Sequence, residues 1–158
     1  MNTYLLLKTL HIISSVLLVG TGFGSAFYLY CINRSKNVVA IAIVVRTVVL
    51  ADWCFTTPTV IIQPLSGIGL AYLAGWPLDT PWILLSIGLY ILAGACWLPV
   101  VWLQIKMQHL AQSACAQQQA LPTQYWQYAR YWEALGYPAF LAMLGVFYLM
   151  VNKPGLWV

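Results

Sequence analysis

The chain has 158 residues, 62% of them hydrophobic and only 6% charged, with a formal net charge of +4. Soluble domains carry about a quarter charged residues, so this composition excludes a water-soluble globular protein and predicts one integral membrane domain. With 7 Lys and Arg against 3 Asp and Glu, there is no basic groove for nucleic acid.

A membrane span needs roughly 20 apolar residues, and stretches of that kind recur along the whole chain. The first runs from Tyr4 to about Ile32. Its first charge, Lys8, follows an apolar start and no small-residue cleavage site comes after it, so the segment is expected to be a span and not a cleaved leader. Lys8 and His11 share one helix face. Ionisable groups are expensive inside a bilayer, which makes both of them functional candidates. Further along, Gly20, Gly22, Gly24 and Ser25 form a ridge of small residues expected to seat another helix.

A polar turn, Asn33 to Asn37, leads into Val38–Gly75, which is too long for one perpendicular crossing. At 1.5 Å per residue it would reach roughly 55 Å against a hydrocarbon core of about 30 Å. The crossing is therefore expected over 52–75, with 38–51 as a helical lead-in. Pro58 and Pro64 remove backbone bonds inside it and predict a kink. Gln63, between them, is expected to cap a freed carbonyl or to meet a ligand. Gly67, Gly69, Ala71 and Gly75 make a second small-residue ridge.

Asp79-Thr80-Pro81 reads as a helix start, opening a third span over 82–103. A Gln- and Ala-rich extension follows, broken at Pro122. The fourth span, 134–151, is preceded by an aromatic-rich approach that suits a membrane interface. The class is thus all-α: a polytopic four-helix membrane bundle with a kinked second span. Arg34, Lys36, Arg46, Lys106 and Arg130 fall beside the first and third connections. Basic residues stay on the cytoplasmic side, which predicts both termini outside the cytoplasm. Cys31, Cys54, Cys96 and Cys115 show no CxxC spacing and are expected to be reduced thiols.

Little equipment for chemistry is visible. There is no Ser-His-Asp order, phosphate loop or carboxylate pair, which argues against hydrolysis and phosphoryl transfer. Arg130 and Glu133, at i and i+3, are expected to pair. Asp52 is expected to be neutralised by Arg34, Lys106 or Arg130, with a proton-relay role as the alternative. What remains is a lone intramembrane histidine among aromatics and glycines. It suits either haem ligation or a hydrogen bond to a neighbouring helix. His11 is expected about 10 Å below the outer surface, with Met143 at a similar depth and Gly69 and Gly88 bringing two more backbones close. His109, near the other surface, cannot share an iron with His11, so a His/Met or a five-coordinate haem b is the consistent picture.

Several separated motifs resemble a bacterial membrane family catalogued as domain of unknown function 2269. They are the run from Tyr4 to Ile12, Gly20 to Gly24, Asp52 with Phe55-Thr56 and Pro58, Gln63-Pro64 with Gly67, and Trp97 to Gln104. More remotely, the Lys-x-x-His of span one and the Pro-then-Gly end of span two look like four-helix haem-associated membrane proteins, among them a bacterial protoporphyrinogen oxidase and the copper-resistance membrane group. That likeness implies haem binding through His11, with Lys8 beside it. The oxidase's basic residue at the start of span three is replaced here by Trp82-Ile83-Leu84, so the likeness does not carry the oxidase activity over. The expected function is a bacterial inner-membrane protein carrying haem b and serving electron transfer or redox chemistry. The alternatives are a non-enzymatic subunit that docks a partner and, third, a small-molecule transporter. The partners implied are the lipid bilayer, a redox or membrane-protein partner, and a second copy of the chain.

Overall fold

In the computed structural model, which describes residues 2–154, helices account for nearly the whole chain. Helix α1 (Thr3–Ser35) is started by Asn2, whose side chain accepts from the Tyr4 N–H at 3.0 Å, satisfying one of the donors a helix N-terminus leaves free. It stops at Lys36, in the left-handed conformation with φ 55°. Asn37 then caps α2 (Val38–Ala51) by accepting from the Ala40 N–H at 3.1 Å. Two asparagines therefore fix where the first two helices begin.

The second crossing is α2, a wide π turn (Asp52–Thr56), and α3 (Thr57–Leu73), running on without a loop. The π turn lies just ahead of Pro58. A proline ring crowds the carbonyl four residues back and offers it no N–H, and an extra residue in the turn widens the backbone there. At Pro64 the freed carbonyl is that of Val60, and the Tyr90 hydroxyl donates to it at 2.7 Å. The cap expected from Gln63 thus comes from another helix, because Gln63 faces α1.

Past the end of α3 the chain turns at Gly75, whose φ of +72° suits glycine, and the Trp76 N–H returns to the Ala71 carbonyl at 2.9 Å. The third crossing is α4 (Pro81–Ala116), starting at the expected proline, and the fourth is α5 (Thr123–Asn152). These four crossings of 33, 36, 36 and 30 residues have lengths of roughly 45–55 Å, well beyond the apolar stretches. Helix α4 packs along α5 and α2, while α1 packs along α3 and α2. Both described chain ends lie at one end of the bundle (the terminal end), opposite the α1–α2 and α4–α5 connections (the connection end).

The principal core belongs to the connection end. Leu29, Ile41, Val45, Met107 and Tyr125 are fully buried there, among Leu103, Ala111 and Trp132. Around this core Arg34, Lys36, Arg46, Lys106 and Arg130 are all exposed. Towards the terminal end the outer face carries Leu84, Ile91, Leu98, Leu141, Tyr148 and Val151, a surface for lipid. Exposed basic residues thus gather at the connection end, while large apolar side chains cover the outside of the terminal part.

The glycine ridge of α1 does not receive a helix: a Cβ at Gly20, Gly22 or Gly24 would meet nothing within 4 Å. The second ridge does the packing. A Cβ at Gly67 would lie 3.3 Å from His11 Cε1, and one at Gly69 2.8 Å from Leu7 Cδ2. At these two glycines α1 side chains lie directly against the α3 backbone, the close approach that small residues permit.

A histidine held between two helices

Where α1 meets α3, four polar side chains close a network inside apolar surroundings. His11 Nδ1 lies 2.8 Å from Ser66 Oγ. Gln63 Nε2 donates to the His11 carbonyl at 2.9 Å and to Ser14 Oγ at 3.0 Å, and Ser14 Oγ donates to the same carbonyl at 3.1 Å. Ser14, Gln63 and Ser66 are buried, while the His11 ring is half-buried. Sequence spacing builds this seam: His11 and Ser14 are three apart on α1, as Gln63 and Ser66 are on α3, so each pair presents one face.

The network fixes the tautomer of the histidine. Ser66 Oγ stands 2.6 Å from the Ile62 carbonyl and 3.1 Å from that of Gln63. A hydroxyl has one proton, and two oxygens at 2.6 Å need it between them. Ser66 therefore donates back along its own helix and accepts from His11 Nδ1–H. Nε2 is left with a lone pair, and among the described residues no hydrogen bond reaches it. A neutral imidazole with one nitrogen anchored and the other free is the arrangement used for ligation.

The other residues singled out in the sequence do not gather around this nitrogen. Lys8 is exposed, its Nζ 5.9 Å from the centre of the Tyr4 ring. Gly69 is covered by Leu7 and offers no bare backbone. Gly88 is open, with nothing within 4 Å of its Cβ position. Met143 belongs to another level of the bundle. Tyr90 bonds Val60, six residues from Ser66 towards the connection end, and Leu89 meets Gly145. Met143 is a further half-turn that way, so it stands about 10 Å along the bundle from His11. The similar depth expected for the two fails because the helices are staggered.

A second polar site sits at the π turn. Asp52 is 5% exposed, its Oδ1 accepts the Thr56 hydroxyl at 2.8 Å, and the buried Gln104 side chain lies beside it. These neutral groups take the place of the expected Arg34, Lys106 or Arg130, which point outward. Gln104 Oε1 is buried without a partner, as is Asn33 Nδ2, although Asn33 Oδ1 accepts the Tyr125 hydroxyl at 2.7 Å. Arg130 is exposed, Glu133 half-buried, and no ion pair joins them among the described residues. An exposed pair at that spacing gains little over water. The four cysteines are free.

Sequence reasoning missed Ser14, Ser66 and Tyr90. Each had a signal: the two serines stand one turn from a polar residue already marked, and the proline at 64 dictates that the carbonyl at 60 seeks a donor.

Among the described residues no three His, Cys, Asp or Glu side chains come together to hold a metal ion, whereas haem iron can be held by one protein ligand. Of the residues named for a haem, His11 alone presents an unpartnered ring nitrogen that would hold one, and Met143 stands at another level. A family model described as predicted integral membrane protein (DUF2269) matches residues 5–154. No curated protein and no solved structure matches the chain.

Proposed function

The chain belongs to the DUF2269 family of integral membrane proteins, and on that premise we propose that it is a bacterial inner-membrane haem b protein serving electron transfer, with His11 as sole protein ligand. The observation that carries this is the anchored Nδ1 and unpartnered Nε2 of His11. Haem b, when bound, supplies a one-electron couple. The chain's own contribution is to hold the imidazole neutral and oriented: the Ser66 hydroxyl accepts a hydrogen bond from Nδ1–H, Gly67 lets the ring lie close, and Gln63 ties the His11 backbone to α3. Lys8, one turn away on the exposed flank, suits a propionate. Gly88 is a place where a ring can approach backbone. Both termini lie outside the cytoplasm on this reading, because the exposed basic residues line the connection end.

The deciding experiment is an absorption spectrum of protein made with haem supplementation, followed by haem titration. The expected result is a Soret band with a five-coordinate signature that His11→Ala abolishes and Met143→Leu leaves unchanged. Ser66→Ala should weaken haem retention while the fold persists, since it frees the ring without removing Nε2. A colourless preparation that binds no haem on titration overturns the reading.

A second reading is favoured by the same seam. His11, Ser14, Gln63 and Ser66 form a lock between α1 and α3 that needs no ligand, which suits a non-enzymatic subunit docking a partner. On that reading His11→Ala lowers stability and removes no chromophore.

A further inference from the structure

The connection end carries an apolar stripe that lipid does not cover. On α2, Val39 is 57% exposed and Ile43 62% exposed, with Arg46 exposed one turn on. Residues 39, 43, 46 and 50 follow the four-three-four spacing of a helix seam, and Leu50 is 61% exposed as well. Shallow grooves along this stripe bring Val39, Ile43 and Arg46 beside Gln112 and Cys115 of α4.

The level of this stripe relative to the bilayer follows from α4. Lys106 is exposed, with its Nζ 5.8 Å from the centre of the Trp102 ring, which is where a basic and an aromatic side chain meet the interface. Gln112 and Cys115 lie six and nine residues further from the membrane, about 9–14 Å. Val39 and Ile43, across the groove from them, therefore stand in water. A helix that shows two large β-branched side chains to water at seam spacing is set to receive another helix.

Charge identifies which helix. This end of the bundle has Arg34, Lys36, Arg46, Lys106 and Arg130 exposed. The chain's 3 acidic residues offer no match: Asp52 is buried, Asp79 lies at the terminal end and Glu133 is half-buried. A second copy would bring Arg46 towards Arg46 and no carboxylate to meet it. We propose that the α2 stripe Val39–Ile43–Arg46 is the docking seam for an amphipathic helix of a different protein, apolar on one face and acidic along its flanks. This is independent of whether His11 binds haem.

The test uses the full chain in nanodiscs of phosphatidylcholine, with empty discs as the blank. The probe is a synthetic amphipathic helical peptide with a leucine seam and glutamate flanks, together with a twin carrying lysine flanks. Fluorescence anisotropy should show the acidic peptide binding about tenfold tighter than the twin, the scale of one anchoring contact, with the difference shrinking as salt rises. Ile43→Glu should abolish binding without harming the fold, since the side chain it replaces is outside the core. Arg46→Glu should reverse the preference towards the lysine peptide. The proposal is overturned if the twins bind alike, if Ile43→Glu leaves binding intact, or if Ile43→Cys readily forms a disulfide between two copies in the discs, which would make the second copy the occupant.

Discussion

The two ends of this bundle are held together by different physics. At the connection end the buried side chains are large and apolar, from Leu29 and Ile41 to Met107, Tyr125 and Trp132, and the surrounding surface is charged. At the terminal end α1 meets α3 through a polar network and two glycines, only a small apolar cluster of Ala71, Trp82, Ile83 and Leu149 joins α3, α4 and α5, and leucines face outward. In water, burying apolar surface is the main driving force. In lipid it gains almost nothing, because a tail is as apolar as a leucine, and close packing with hydrogen bonds must serve instead. One set of four helices thus reads as a soluble-type core continued into a membrane-type seam.

The largest effect that sharpens this contrast is expected at the connection core. Met107 is fully buried, and Met107→Ala should cost about 2–5 kcal/mol through lost burial and a residual cavity. Denaturation of the detergent-solubilised protein measures it. A cost similar to that of Leu141→Ala, which is 65% exposed on the lipid face, would erase the distinction between the ends.

Next comes Tyr125→Phe, which removes the hydroxyl that satisfies Asn33 Oδ1 at 2.7 Å. Since Asn33 Nδ2 is already unpartnered, the amide would be left without any bond, at a cost of about 1–3 kcal/mol. The matching change at the other end is Tyr90→Phe, which strips the Val60 carbonyl of the donor that replaces the N–H missing at Pro64. Hydrogen bonds between membrane helices average roughly 0.6 kcal/mol, so the loss should be the smaller of the two. The same melts read both, and an equal or larger loss at Tyr90 would place Val60 outside the membrane regime.

These contrasts also show what the amino-acid sequence makes legible. The four crossings, the helix start at Pro81 and the irregular second span follow from hydropathy and from proline chemistry, both of which are local. The lone histidine could be marked because an ionisable group in an apolar run is conspicuous wherever it points. Its partners could not, since Ser66 and Ser14 are ordinary residues whose role depends on the rotation of α1 against α3. Helix stagger is equally non-local, which is why Met143 was expected level with His11 and stands about 10 Å away. The lead-in Val38–Ala51 could be set outside the crossing from length alone, but that Ile41, Val45 and Val48 join Leu29, Met107 and Tyr125 in the main core could not, since it depends on how α1, α4 and α5 pack around α2.

The smallest effect is expected where the sequence suggested a large one. Gly20 and Gly24 have the spacing that lets membrane helices approach closely, which by pattern makes Gly24→Leu damaging. In the fold, however, a Cβ at Gly24 meets nothing within 4 Å, and α1 touches α5 at this level through the stacked rings of Phe23 and Phe140, 5.4 Å apart. Contact between the two helices here is made by the aromatic pair, and the glycines beside it face open space. Gly24→Leu should therefore change stability by no more than about 0.5 kcal/mol, the ordinary range for a surface substitution. Gly69→Leu is the control, because its Cβ position is already 2.8 Å from Leu7 Cδ2, and overpacking of that kind costs about 1–3 kcal/mol. Thermal melts of the two variants in the same detergent decide the point. If Gly24→Leu is the more damaging, a helix that the single chain does not provide must rest on that ridge.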